Sequence, residues 1–297
     1  MSTPQAECVG VVGGGFMGSG IAEVAAHAGF DVRVVEPDEE RLERARRAIG
    51  RSVARGVAAG KLDEEEAAEL HGRISFTTRV ADLAGSDLVV EAVPEDEPVK
   101  RDVFAALGAV VDADAILASN TSSIPIAELA AATTNAARVL GLHFFSPVPV
   151  MKLVEVVVAL DTSEQTVERA SAFARAIGKH AIRTKDRSGF VVNMLLVPYL
   201  MAAVRMHEDG FASREDIDTG MRLGCGHPMG PLTLCDFIGL DVLYAVCNSL
   251  YEEFKRDGYA PPPLMKRMVA AGRLGRKAGR GFYDYEAQAN ATEAVAT

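Results

Sequence analysis

The chain has 297 residues, 48% apolar and 24% charged, which is enough for two domains and too apolar for disorder or a fibre. Its formal net charge of −10 argues against general nucleic-acid binding, which needs a surplus of Lys and Arg to neutralise phosphates. Any polyanionic ligand would therefore need a local basic patch.

The opening MSTPQAE lacks the charged and apolar regions of a secretory signal. Residues 8–12 (CVGVV) form an apolar run that meets GGGFMGSG. A helix-like IAEVAAHAG follows, and residues 32–35 return as a second apolar run. The order is strand, turn, helix, strand, and the turn fits G-x-G-x-x-G. In such a loop Gly13 makes the tight turn, Gly15 admits a pyrophosphate to the backbone, and Gly18 permits close helix–strand packing. The helix N-terminus then offers N–H groups and positive dipole to the phosphates of a dinucleotide. Glu36 closes the second strand, where a carboxylate accepts from the adenosine ribose hydroxyls and repels a 2′-phosphate, so NAD is expected over NADP. Arg33 and Arg41 lie nearby and weaken that exclusion, and a merely solvated strand end is the alternative for Glu36.

Residues 41–62 (RLERARRAIGRSVARGVAAGKL) are strongly basic, with Arg44, Arg47, Arg51 and Arg55 near one helical face. Further short runs, LVVEAV from Leu88, AILAS from Ala115 and VLGLHFF from Val139, alternate with helix-length segments such as 98–112. That alternation predicts a mostly parallel, Rossmann-like sheet flanked by helices. After about residue 186 the periodicity becomes helical and no clear strand follows. We therefore expect an α/β domain over 1–186, with a helical arm at about 38–71, and an all-helical domain over 187–297. The longest apolar stretch, 191–204, falls short of the roughly 20 residues that cross a bilayer, so no membrane segment and a cytoplasmic location are expected. The final AQANATEAVAT is small, polar and expected to fray. Cys8, Cys225, Cys235 and Cys247 form no C-x-x-C pair, and core packing rather than metal binding is expected of them.

One stretch, LGLHFFSPVPVMKLVEVVV, sets a histidine and a glutamate in two apolar runs around a proline-rich loop. If the runs pair as antiparallel strands, His143 and Glu155 are equidistant from Pro149 and face one another with Cβ atoms roughly 4.5–5.5 Å apart. A carboxylate on one imidazole nitrogen fixes the tautomer and raises the basicity of the other, which makes a general base. A core histidine beside a surface glutamate is the alternative.

ASNTSSI (from Ala118), GLHFFSPVPVMKLVEVV (from Gly141), SGFVVN (from Ser188), GHPMGPL (from Gly226) and GRLGRKAGRGFYDY (from Gly272) together resemble the L-3-hydroxyacyl-CoA dehydrogenase family, most of all its short bacterial 3-hydroxybutyryl-CoA members. The resemblance runs from the glycine loop to Tyr285. It implies oxidation of a 3-hydroxyacyl-CoA by NAD, with His143 as base held by Glu155, and with Ser122 and Asn193 donating to the substrate's C3 oxygen. A loop cap and a helix-start residue are the alternatives for those two. Glu95 and Lys100 match family positions near the cofactor, and a solvated helix start is their alternative. The resemblance also implies a helical arm lying over the CoA, with Ser52 at a contact position and substrate between the two domains. A CoA thioester carries a pyrophosphate and a 3′-phosphate, which suits Arg51, Arg55 and Lys61 on the basic segment as much as a solvated helix face would. A homodimer through the C-terminal domain is implied as well. The chain departs from the pattern at Ser146, where the family commonly has asparagine, and at Glu36, where many members have aspartate. Two rivals stand beside this reading: a same-fold dehydrogenase of a hydroxy acid without CoA, and a non-catalytic NAD-binding protein.

Overall fold

The computed structural model describes residues 8–286; the opening MSTPQAE and the final AQANATEAVAT lie outside the described residues. Two compact units divide between Phe190 and Val191, where the sequence reading drew its line after residue 186. The intervening residues 187–190 remain tied to the first unit through Ser188, whose hydroxyl donates to the Ser123 carbonyl, just after Asp186, whose carboxylate accepts from the Ile126 and Ala127 amides.

The first unit runs β1 (Cys8–Val12), α1 (Phe16–His27), β2 (Asp31–Val35), α2 (Glu39–Ala58), α3 (Glu64–Gly72), β3 (Ile74–Thr77), β4 (Leu88–Glu91), α4 (Glu97–Val110), β5 (Ile116–Ser119), α5 (Ile126–Ala130), β6 (Val139–Phe144), β7 (Leu153–Val158), α6 (Glu164–Ala176) and β8 (His180–Lys185). These strands form one sheet in the order β3-β2-β1-β4-β5-β6-β7-β8. Every neighbouring pair is parallel except β6 and β7. All residues of β4, β5 and β6 are buried, as a parallel sheet covered on both faces requires. The order reverses between β1 and β4, the switch point at which open α/β sheets hold ligands beyond their C-terminal strand ends.

The arm between β2 and β3 is the pair α2 and α3. Leu42, Ala45, Ile49 and Val53 recur at three- and four-residue spacing and are buried, which leaves the arginines on the solvent side of α2. Asp38 caps α2, and Asp63 with Glu66 forms a reciprocal capping box on α3.

The second unit contains α7 (Val192–Glu208), α8 (Arg214–Cys225), α9 (Pro231–Ile238), α10 (Leu240–Phe254) and α11 (Pro263–Ala270), packed around Leu200, Met201, Leu232, Leu243, Leu250 and Met265. Among the described residues no named strand follows β8. The architecture is the expected one: a mostly parallel α/β unit followed by an all-helical unit. Cys235 and Cys247 are buried, as core packing predicts, whereas Cys8 is half-buried and Cys225 exposed at the end of α8; all four are free thiols.

Candidate active site

The glycine loop, Glu36, Glu91, Glu95, Ser122, His143 and Glu155 sit at or just beyond the C-terminal edge of the sheet. At β1 the three motif glycines answer to three different constraints. Gly13 has φ +94°, and a Cβ there would lie 2.7 Å from the Ala92 backbone; a Cβ on Gly18 would lie 1.7 Å from the Gly13 carbonyl oxygen. Gly15 alone of the three faces open space, with nothing within 4 Å of where its Cβ would be. The missing side chain at Gly15 is a cradle for a ligand, and no side chain caps α1 at this residue, so the helix start is suited to phosphate. The residues present fit a dinucleotide.

Glu36, half-buried, does more than the sequence reading assigned it. Its Oε1 accepts from the Gly14 amide at 2.7 Å, so the expected ribose acceptor also holds the glycine loop in shape. The two arginines that weakened the case against NADP are occupied elsewhere. Arg33 donates to the Asp82 and Ala84 carbonyls at 2.8 and 3.1 Å, and Arg41 faces Asp38 at 3.6 Å.

At the ends of β4 and β5 two carboxylates collect donors. Glu91, fully buried, accepts from Lys100 Nζ, the Val93 amide and the Ser119 hydroxyl, each at 2.7 Å. Glu95 lies over the next loop. Its Oε1 accepts from Thr121 Oγ1 at 2.5 Å, from the Ser122 and Ser123 amides at 3.0 and 3.1 Å, and from Ser123 Oγ at 3.0 Å, with Ser122 Oγ at 3.5 Å. Lys100 Nζ stands 3.4 Å from its other oxygen. Burial pushes the Glu95 carboxyl up, but Lys100 and the Thr121, Ser122 and Ser123 donors outweigh it and hold the group below its ordinary value. Lys100 is thus a buried clamp between two acids, not a solvated helix start. Removing one partner of the fully buried Lys100–Glu91 pair costs about 3–5 kcal/mol.

At β6 and β7 the hairpin has the register the sequence predicted, with His143 opposite Glu155. Because β7 runs antiparallel, its early residue Glu155 returns to the sheet edge at which β6 ends. His143 Nδ1 and Glu155 Oε2 are 2.6 Å apart, with the residues 6% and 0% exposed. With the ring neutral, an ionised carboxylate at this distance selects the Nδ1–H tautomer and leaves the Nε2 lone pair free. Of the six histidines His143 is the buried one; His27, His71 and His180 are exposed and His207 and His227 half-buried. The Asn120 side chain accepts from the Phe144 amide at 2.9 Å, which joins the Ser122 loop to the strand that carries His143. The hairpin loop is fixed by Lys179, which donates to the Val148 and Met151 carbonyls, while Ser146 in that loop is exposed.

On the arm, Arg44 and Arg47 are paired with Glu40 and Glu43 on their own helix. The four-arginine stripe is therefore partly neutralised, and the outer pair Arg51 and Arg55, with Lys61, is exposed. Ser52 is half-buried beside Glu23, whose carboxyl is pushed up by burial and drawn back by the Ser52 hydroxyl and Arg55. Asn193 stands in the first turn of α7, half-buried.

Comparison with known proteins decides the family. Residues 8–187 match the NAD-binding domain of 3-hydroxyacyl-CoA dehydrogenase, and residues 189–285 match its C-terminal domain. The chain belongs to the 3-hydroxyacyl-CoA dehydrogenase family. It is an NAD-dependent oxidoreductase whose first unit is that family's cofactor domain. It is 56% identical over 279 residues to a 3-hydroxybutyryl-CoA dehydrogenase of Mycobacterium tuberculosis, covering 93% of this chain and 98% of that one. It is 45% identical over 286 residues to the mitochondrial hydroxyacyl-coenzyme A dehydrogenase of Sus scrofa, covering 94% and 91%. The crystal structure of (S)-3-hydroxybutyryl-CoA dehydrogenase from Ralstonia eutropha is similar with a TM-score of 0.90 at 43% identity, covering 95% and 99%.

The sequence reading did not single out Glu91, Ser119 or the two phenylalanines whose rings pack on His143, Phe145 and Phe190. Glu91 had left a signal, a lone acid ending the apolar run LVVE; the phenylalanines left none beyond their hydrophobicity.

Proposed function

We propose that this enzyme oxidises a 3-hydroxyacyl-CoA, with 3-hydroxybutyryl-CoA as substrate, to the 3-oxoacyl-CoA and catalyses the reverse reduction, with His143 and Glu155 as its acid–base pair. The observation that carries this reading is the buried 2.6 Å contact between His143 Nδ1 and Glu155 Oε2 at the sheet edge that also carries the glycine loop. NAD, which Gly13, Gly15, Gly18 and Glu36 would hold, would supply the hydride chemistry at C3 in either direction. The chain's own groups move the proton. His143 Nε2 takes it from the hydroxyl as the C–H bond breaks, Glu155 stabilises the imidazolium, and the reduction returns the proton to the oxygen. The Ser122 hydroxyl donates to the C3 oxygen as charge develops there. Gly13, Gly15 and Gly18 with Glu36 hold the dinucleotide, and Glu95 and Lys100 fix the loop beside it. Arg51, Ser52, Arg55 and Lys61 take the nucleotide end of CoA.

The same reading makes the protein a cytoplasmic homodimer. Four free thiols fit a reducing compartment, which cell fractionation checks. On the second unit a pocket of about 590 Å³ is lined by Leu195, Tyr199, His227 and Phe237, with Leu195 73% exposed, an apolar surface suited to a second copy. A monomer by light scattering at working concentration overturns that part. Among the described residues no single helix is long and apolar enough to cross a membrane.

The test is NADH or NADPH consumption with acetoacetyl-CoA. Rapid NADH loss, slow NADPH loss and a fall of about 10²–10⁴-fold in kcat for His143→Gln at unchanged NADH affinity are expected. Turnover of a free hydroxy acid but not of the CoA ester, or an unimpaired His143→Gln, sinks the reading.

A further inference from the structure

Two non-glycine residues among those described have positive φ, and they differ in setting. Lys255 (φ +50°) is an exposed C-cap of α10, whereas Phe190 (φ +47°) is 5% exposed at the end of the first unit. Left-handed backbone is unfavourable for a residue with a bulky side chain and persists only where the surroundings enforce it. Here they do. The Phe190 amide donates to the Arg187 carbonyl at 2.9 Å, the buried Ser188 hydroxyl to the Ser123 carbonyl at 2.9 Å, and Asp186 takes the Ile126 and Ala127 amides at 2.9 and 2.8 Å. Gly189 just before it is also left-handed, at φ +80°. The chain therefore uses glycine at one such position and keeps a large aromatic ring at the next.

That ring packs on the imidazole of His143. The Phe190 and His143 centroids are 5.3 Å apart and their planes 59° apart; Phe145 packs on the same imidazole at 4.7 Å and 62°. The Glu155 hydrogen bond fixes one atom of the imidazole but not the plane of the ring. Aromatic neighbours in tilted and edge-on contact fix that plane, and with it the direction in which the Nε2 lone pair points. We propose that Phe190 is a positioning residue for the reaction: its enforced backbone presses the phenyl ring against His143 and holds Nε2 in line with the substrate's hydroxyl proton. This rests on the reading of His143 as the base.

Phe190 also belongs to the hydrophobic core on one face of the sheet, so the experiment must separate alignment from filling. Phe190→Leu and Phe190→Met keep the apolar bulk and lose the ring; whichever folds is assayed with acetoacetyl-CoA and NADH, alone and combined with His143→Gln, beside Phe190→Tyr. The expected result is a kcat loss of about 10- to 100-fold, the scale of a misaligned reacting group. KM and NADH affinity stay within about threefold of the parent, and Phe190→Tyr retains most of the turnover. In the His143→Gln background the same substitution is expected to cost less than about twofold, because two residues acting through one contact are not additive. A kcat within about twofold of the parent, a loss carried by KM or NADH affinity, or a full additional loss on top of His143→Gln each overturns the proposal. An active His143→Gln removes the base and this inference together, whereas an inactive His143→Gln beside an unimpaired Phe190→Leu removes the inference alone.

Discussion

Both units bury acids, and they surround them differently. In the first, Glu91 and Glu155 are fully buried against side chains that donate or titrate: Lys100, Ser119 and His143. In the second, Asp218 accepts from the Leu232 and Thr233 amides, the Thr233 hydroxyl and Tyr283, while Asp236 accepts from the Phe282 and Tyr283 amides and Tyr285. The second pair locks the C-terminal GFYDY segment and α9 to the helical core. Burial pushes the Asp236 carboxyl up, the Tyr283 and Phe282 amides and the Tyr285 hydroxyl draw it back, and Asp218 adds to the rise. Burial of a carboxylate alone does not mark a site. What distinguishes the first unit is that its acids lie at the C-terminal edge of the sheet, and that one of them holds the imidazole proposed above as the base.

That contrast can be broken by substitution. The largest effect is expected for Glu155→Gln, which keeps the side-chain volume and an acceptor oxygen but removes the charge that, on the function proposed above, stabilises the imidazolium. Its kcat should fall about 10²–10⁴-fold with little change in melting temperature or NADH affinity; a kcat near that of the parent would place Glu155 with the structural acids. Asp236→Ala should do the reverse. It strands two backbone amides and a tyrosine hydroxyl, costing about 3 kcal/mol of stability, while turnover per folded molecule at room temperature persists. A thermal melt that does not move would show that the second unit does not depend on this lock.

The smallest effect separates Glu95 from both groups. Its carboxyl is held below the ordinary value of 4.5, so its stabilising contribution is fully present above that value and is lost as pH falls through the lower folded value. With its side chain 38% exposed, solvent screens the contribution to below about 1 kcal/mol. The melting-temperature gap between parent and Glu95→Gln should shrink from about pH 6 to about pH 3. A gap that widens on acidification contradicts the hydrogen-bonded loop described above.

Much of the first unit was legible because its signals are local. The glycine spacing lies between one strand and one helix, and the His143–Glu155 register follows from counting outward from Pro149. What stayed hidden was long-range. Glu95 was singled out by the family resemblance alone, and a solvated helix start stayed open for it, because its partners, Thr121 to Ser123, are more than twenty residues away. Asp218 and Asp236 are satisfied by backbone amides and by Thr233, Tyr283 and Tyr285 hydroxyls, most of them distant in sequence. The arginine stripe shows the opposite failure. Its periodicity was read correctly, but Glu40 and Glu43, one turn earlier on the same helix, claim two of the four charges. Phe190 lies inside the motif SGFVVN that carried the resemblance, yet nothing in its residue type signals a left-handed backbone.

The Glu36 contact with the Gly14 amide, together with the Gly13 amide on the Val35 carbonyl, has a kinetic consequence. The cofactor turn is held by hydrogen bonds from its own chain, so a dinucleotide arriving from solution is expected to meet a formed surface with no loop to order first. Association should then follow a single phase whose rate rises linearly with concentration in stopped-flow fluorescence, and differences in affinity between nucleotides should reside in how long each stays bound. A rate that saturates with concentration would show that the turn still has to rearrange.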